Sequence, residues 1–159
     1  MITSSTFHTK NKNPSVLSAM VFVLSMLMLS AVHAESRDGE VVLIAARGSG
    51  IEAMQLRDIR RVYLGFKSAD NKSVKNPVLN VQSKALYDEF LKNTMHLTEG
   101  SYKRKLVKRM FRQGSGEILE VKSLEELNNH LKNNIGDISF IETDSIEDME
   151  NVEVIQVLW

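Results

Sequence analysis

Cysteine is absent from all 159 residues, which excludes a disulfide framework, a thiolate nucleophile and a cysteine-bound zinc set. The same absence rules out lipid attachment at a mature N-terminal cysteine. Proline occurs twice and glycine eight times, too few for a linker rich in either residue. Basic residues do not outnumber acidic ones: there are 20 of each. A general nucleic-acid binder would carry a clear basic excess. The pattern Gly-x-Ser-x-Gly, a phosphate-cradling Walker loop and His-Glu-x-x-His are all missing. Beyond residue 34 the only histidines are His96 and His130, far apart in sequence, and both are expected to be structural. These absences argue against an enzyme, a resident metal and a cofactor.

What the chain does have begins at its N-terminus. A polar head with Lys10 and Lys12 precedes an apolar run over residues 16–31, followed by Val32, His33 and Ala34. Charged head, apolar middle and small-residue exit make up a secretory signal, with cleavage expected after Ala34. The apolar run is shorter than the roughly 20 residues of a spanning helix and has no positive stop after it, so a retained anchor is the lesser reading. Residues 35–159 would then be free in an exported compartment, most simply a bacterial periplasm. That portion has 18 basic and 20 acidic residues, a formal charge of −2, and a length suited to one domain.

Hydrophobic patterning predicts strands and helices in alternation. Residues 41–46 form an unbroken apolar run ended by Gly48, Ser49 and Gly50, the signature of a strand buried on both faces. Residues 54–63 carry Leu56, Ile59, Val62 and Tyr63 at helical spacing, with Arg57, Asp58, Arg60 and Arg61 on the other face and Gly65 to stop the helix. A polar loop over 67–76 leads to a strand at 77–81, and Ser83 then stands at a helix start continued by Leu86, Phe90 and Leu91. In the next helix Tyr102, Leu106, Val107, Met110 and Phe111 share a face, opposite six cations between Lys103 and Arg112. A strand at 118–121, a capping box of Ser123 and Glu126, a helix closed by Gly136, and strands at 138–141 and 152–158 complete the chain. The expected fold is α/β, with a mixed, mostly parallel sheet flanked by helices.

Several of these segments resemble phosphate-type periplasmic substrate-binding proteins, the soluble receptors of ABC importers. Residues 59–65, Ile-Arg-Arg-Val-Tyr-Leu-Gly, are similar to that family's Ile-Arg-Arg-Ile-Phe-Leu-Gly segment, and residues 134–141 to its Gly-containing return strand. The likeness spans residues 41–158 and implies one lobe of a type II periplasmic-binding-protein-like fold, a single domain over 35–159. The family clasps its ligand between two lobes, and this chain has length for only one, together with the crossing strands. Its oxyanion loop is similar to Arg-Ser-x-Gly-Ser-Gly-Thr, whereas residues 80–85 here read Asn-Val-Gln-Ser-Lys-Ala, with Ser83 as the match.

The resemblance implies a phosphate or other small oxyanion as ligand and an association with ABC-type uptake. Ser83 and Lys84 form the preferred anion site, because a helix start offers unpaired N–H donors and a partial positive charge. The same pair also reads as an ordinary cap beside a solvated lysine. Ser49, in the loop after the first strand, is a second ligand candidate and equally a plain turn residue. Ser139 corresponds to a close-packed glycine of the family and is either a contact or structural.

The basic helix face, with Lys103, Arg104, Lys108 and Arg112, is either solvated or a docking surface for an envelope partner. The acidic stretch 142–153 is a conceivable mate for it in a neighbouring copy. The leading expectation is therefore an exported oxyanion receptor, and the alternative is an interaction adaptor that keeps the fold without the ligand.

Overall fold

The computed structural model describes residues 39–114 and 116–159. The expected signal segment and its cleavage after Ala34 lie outside the described residues. Among the described residues five strands and four helices follow the expected order: β1 (Val41–Ala46), α1 (Leu56–Tyr63), β2 (Val78–Asn80), α2 (Lys84–Glu89), α3 (Glu99–Gln113), β3 (Leu119–Val121), α4 (Leu124–Asn133), β4 (Ile138–Glu142) and β5 (Val152–Val157). A π-helical stretch, Phe90–Met95, extends α2, and a 3-10 turn, Thr143–Ile146, follows β4. Among the described residues no helix is long and apolar enough to cross a membrane.

All six residues of β1 are buried, and its side chains divide by strand alternation. Val41, Leu43 and Ala45 enter one cluster with Ile59, Tyr63, Phe90, Tyr102 and Phe140, while Val42 and Ile44 enter a second with Leu127, Leu131, Ile141 and Met149. Helices therefore cover both faces, as the unbroken apolar run implied. The first cluster is fastened by aromatic rings: Phe90 stacks on Phe140 with centroids 3.8 Å apart, and Tyr63 tilts against Phe90 at 4.7 Å.

The mostly parallel sheet expected from the alternation is not what forms. The main sheet has three strands in the order β4-β1-β5, and both of its pairings are antiparallel. Only β2 and β3 pair in parallel, with Val78 opposite Leu119 and Asn80 opposite Val121. A single parallel bridge, Pro77 to Ile138, joins the two sheets, helped by Asn80 Nδ2 donating to the Phe140 carbonyl at 3.2 Å. The spatial order is thus β3-β2-β4-β1-β5. Strand–helix alternation fixes direction only between strands joined by a helical crossover within one sheet, as β2 and β3 are. β1 inserts between two strands from the far end of the chain, so no crossover dictates its direction.

Local expectations fare variously. Asp58, placed on the solvated face of α1, is 2% exposed. Its carboxylate accepts from Ser68 Oγ at 2.5 Å and from Ala69 N at 3.3 Å, holding the 67–71 loop against the helix. The box at the start of α4 forms with Ser123 Oγ accepting from Glu126 N, but Glu126 reaches back to Lys122 N, one residue earlier than usual. Gly136 adopts φ +105°, and a Cβ there would stand 2.7 Å from the Ser73 carbonyl oxygen. At this position glycine is required by the neighbouring loop segment at Ser73 as well as by its own backbone.

Candidate functional site

Ser83 caps α2 with φ −109°, and its Oγ accepts from Leu86 N at 3.2 Å. The local reason is that Lys84 begins the helix at once after β2, so the nearest side-chain oxygen takes a free N–H. Lys84 forms an i,i+4 ion pair with Asp88 and a second with Glu99 at 3.4 Å. Its amine pKa is raised, chiefly by the bond to Asp88. Two carboxylates thus already balance the one cation of the expected anion site.

Ser49 donates to Glu153 Oε1 at 2.9 Å, and Gly48 N donates to Glu153 Oε2 at 3.3 Å. These bonds, Ser49's first, hold the Glu153 carboxyl below its ordinary pKa. Ser139 is fully buried and donates to the Val78 carbonyl at 3.1 Å, tying β4 to β2. Because β1 runs against β4 and β4 runs with β2, the loop after β1 and the start of α2 lie at opposite ends of the strands. Ser49 and Ser83 do not converge, and Ser139 lies between the two sheets.

His96 and His130 are both engaged. His130 Nε2 lies 2.8 Å from Asp137 Oδ2, while Asp137 Oδ1 accepts from the backbone and side-chain nitrogens of Asn76. His96 takes a left-handed backbone conformation after the π-helical stretch and stands 2.8 Å from Arg60 Nη2. Among the described residues no group of three or more His, Asp or Glu could hold a metal ion.

The basic helix presents a different picture. Thr98 caps α3 and Gly114, at φ +61°, ends it. Tyr102 is fully buried and donates to the Tyr63 carbonyl at 2.7 Å, which fixes the face that α3 turns to the core. Leu106 continues that face, but the apolar arc does not stop there. Val107, Met110 and Phe111 are exposed, Phe111 to 89%. At about 100° per residue, Phe111 points almost directly away from Tyr102, between this apolar arc and the cations.

Lys103 is paired with Glu99 at 2.7 Å, and Arg104 bonds to Ser101 Oγ at 3.0 Å. Lys105, Lys108 and Arg112 make no ion pair among the described residues. With Arg109 they surround a cavity of about 290 Å³ floored by Leu64 and Phe66. Phe66 and Leu64 were not legible as part of this face. The signal that could have found Phe66 is its position one residue past the helix-stopping Gly65, where an apolar side chain has no helical face to join.

A second apolar hollow of about 200 Å³ lies on the other flank of α3, between Leu106, Val107 and Met110 and the β2–β3 sheet at Leu79, Ile118 and Glu120. α3 therefore stands over the β3 end of the molecule. No protein-family model, no curated protein and no solved structure matches this chain.

Proposed function

We propose that this chain is an exported interaction adaptor, a single binding-protein-like lobe that docks an acidic protein surface through α3. The observation that carries the reading is Phe111, 89% exposed and flanked by Lys108 and Arg112, two cations without ion-pair partners among the described residues. Exposed aromatic and arginine side chains around an apolar hollow are the composition of interface centres. A merely solvated helix face has no use for Val107, Met110 and Phe111 together.

The rival reading, a phosphate or oxyanion receptor serving ABC-type uptake, rests on the start of α2. There the Ser83 hydroxyl already accepts a backbone bond and Lys84 faces two carboxylates. Those engagements favour the adaptor. Immobilised protein should retain a stoichiometric partner from periplasmic extract, and reversing Arg104, Lys108 and Arg112 to Glu should release it. Calorimetric titration with phosphate tests the rival. Micromolar binding, about −8 kcal/mol, that disappears in a Ser83→Ala, Lys84→Ala variant would replace the adaptor reading with the receptor.

A further inference from the structure

Charge in this molecule is segregated. The whole chain has a formal net charge of zero, yet six cations cluster in α3 and six acids cluster in residues 142–153. In that acidic segment Glu142, Asp144, Glu147, Asp148 and Glu150 make no ion pair among the described residues. Just beyond them β5 forms an edge of the main sheet, with Val154 and Val157 about half exposed. Each patch thus combines unpaired charge of one sign with uncovered apolar side chains, and the two signs are opposite.

The placement of the patches matters as much as their chemistry. α3 covers the face of the first cluster through Tyr102 and Leu106, near β3. The acidic segment packs Met149 and Ile146 into the second cluster, on the other face, and leads into β5 at the other extreme of the strand order. The patches therefore lie on opposite faces and at opposite edges. One copy cannot cover both patches of another at once, so a closed two-fold dimer does not satisfy them. Contact between unlike patches repeats from copy to copy.

From this charge complementarity we infer that the acidic surface docked by α3 is residues 142–153 of a second copy of the chain, in head-to-tail association. The inference rests on the adaptor reading of α3 and names its partner. A formal charge of only −2 on residues 35–159 leaves little overall repulsion to oppose the contact, and attraction between exposed charges makes it sensitive to salt.

Sedimentation velocity on the protein recovered from cells expressing the full chain tests this. The parent should sediment faster with increasing concentration at low ionic strength, with association about tenfold weaker at physiological salt. Two variants separate the faces by neutralising them: Lys105→Gln, Lys108→Gln, Arg112→Gln on one side, and Asp144→Asn, Glu147→Gln, Asp148→Asn on the other. Each alone should remain monomeric, and their equimolar mixture should form a one-to-one dimer and nothing larger. Unfolding midpoints matching the parent establish that both variants fold, and Phe111→Asp supplies an independent variant with the same expected loss.

A parent that stays monomeric throughout, or a mixture that forms no dimer, overturns the inference. If such a monomer still captures a different acidic protein through α3, the adaptor reading stands and only self-docking falls. If it instead binds anionic phosphatidylglycerol vesicles through α3, both fall.

Discussion

The Arg109 guanidinium lies 3.6 Å from the centre of the Phe66 ring, and its Nε donates to the Gly65 carbonyl at 2.9 Å. One side chain thereby ties the middle of α3 to the turn that ends α1 and sets the floor of the cationic cavity. Lysine cannot reproduce both contacts, because it lacks the planar fork that stacks and donates together. Arg109→Lys should lower stability by about 1 kcal/mol and weaken partner docking. Urea unfolding and partner retention, measured on the same variant, check the two effects.

Phe111 offers the converse experiment. Its side chain is almost wholly in solvent, so Phe111→Ser should leave the unfolding free energy within about 0.5 kcal/mol of the parent. Docking should fall by tenfold or more, about 1.4 kcal/mol. A stability loss without a docking loss would assign Phe111 to the fold instead.

The loop that carries Lys75 and Asn76 is latched at Gly136, where φ is +105° and the Ser73 oxygen fills the space a side chain would take. Gly136→Ala should destabilise by about 2–4 kcal/mol, combining backbone strain with a main-chain collision. Chemical denaturation measures this directly, and a cost below about 1 kcal/mol would mean the latch yields freely.

Tyr87 Oη and Thr94 Oγ1 are buried without hydrogen-bond partners among the described residues. Burial, with the nearby carboxylates Glu99, Glu120 and Asp88 adding to it, pushes the Tyr87 hydroxyl pKa up to about 12. Tyr87→Phe keeps the ring in the core and removes an unsatisfied group, so it should stabilise by about 1 kcal/mol. A loss of stability instead would reveal a bond to the hydroxyl.

Glu153 links the loop after β1 to β5. Its carboxyl is held below the ordinary value of 4.5 by the Ser49 hydroxyl and then by Gly48 N–H. A carboxylate lowered by folding stabilises above its unfolded pKa, and that contribution is lost as pH falls through the folded value. Glu153→Gln should therefore shrink the decline in stability between about pH 6 and about pH 3. Parallel pH titrations of the unfolding midpoint give the comparison.

Much of the element order was legible because burial imposes periodicity. The unbroken run at 41–46, the Ser123 cap and the glycines that end α1 and α3 translate directly into local structure, whereas α4 stops at Asn133 with Asn134 as its cap, two residues before Gly136. Strand direction was not legible at β1, since its neighbours come from residues about a hundred positions away and no local signal encodes that choice. Asp58 misled for a related reason: a carboxylate on a helix reads as solvated unless the loop that bonds it, at Ser68 and Ala69, is already known to fold back. At the site, Ser83 was correctly placed at a helix start, yet Lys84's engagement with Glu99 depends on where α3 packs. The six cations of α3 were visible in sequence. That Val107, Met110 and Phe111 stay uncovered beside them is a property of packing, fixed by Tyr102 and Leu106 taking the core side.

The most direct test of the central claim is site-specific photocrosslinking in cells. Phe111 is replaced by p-benzoylphenylalanine, with exposed Lys132 on α4 replaced in the same way as a control. A docking surface on α3 predicts a discrete protein adduct at position 111 that is absent at 132 and abolished by Lys105→Glu, Lys108→Glu, Arg112→Glu. No adduct at 111 above the control, or an adduct that survives the charge reversal, would contradict it.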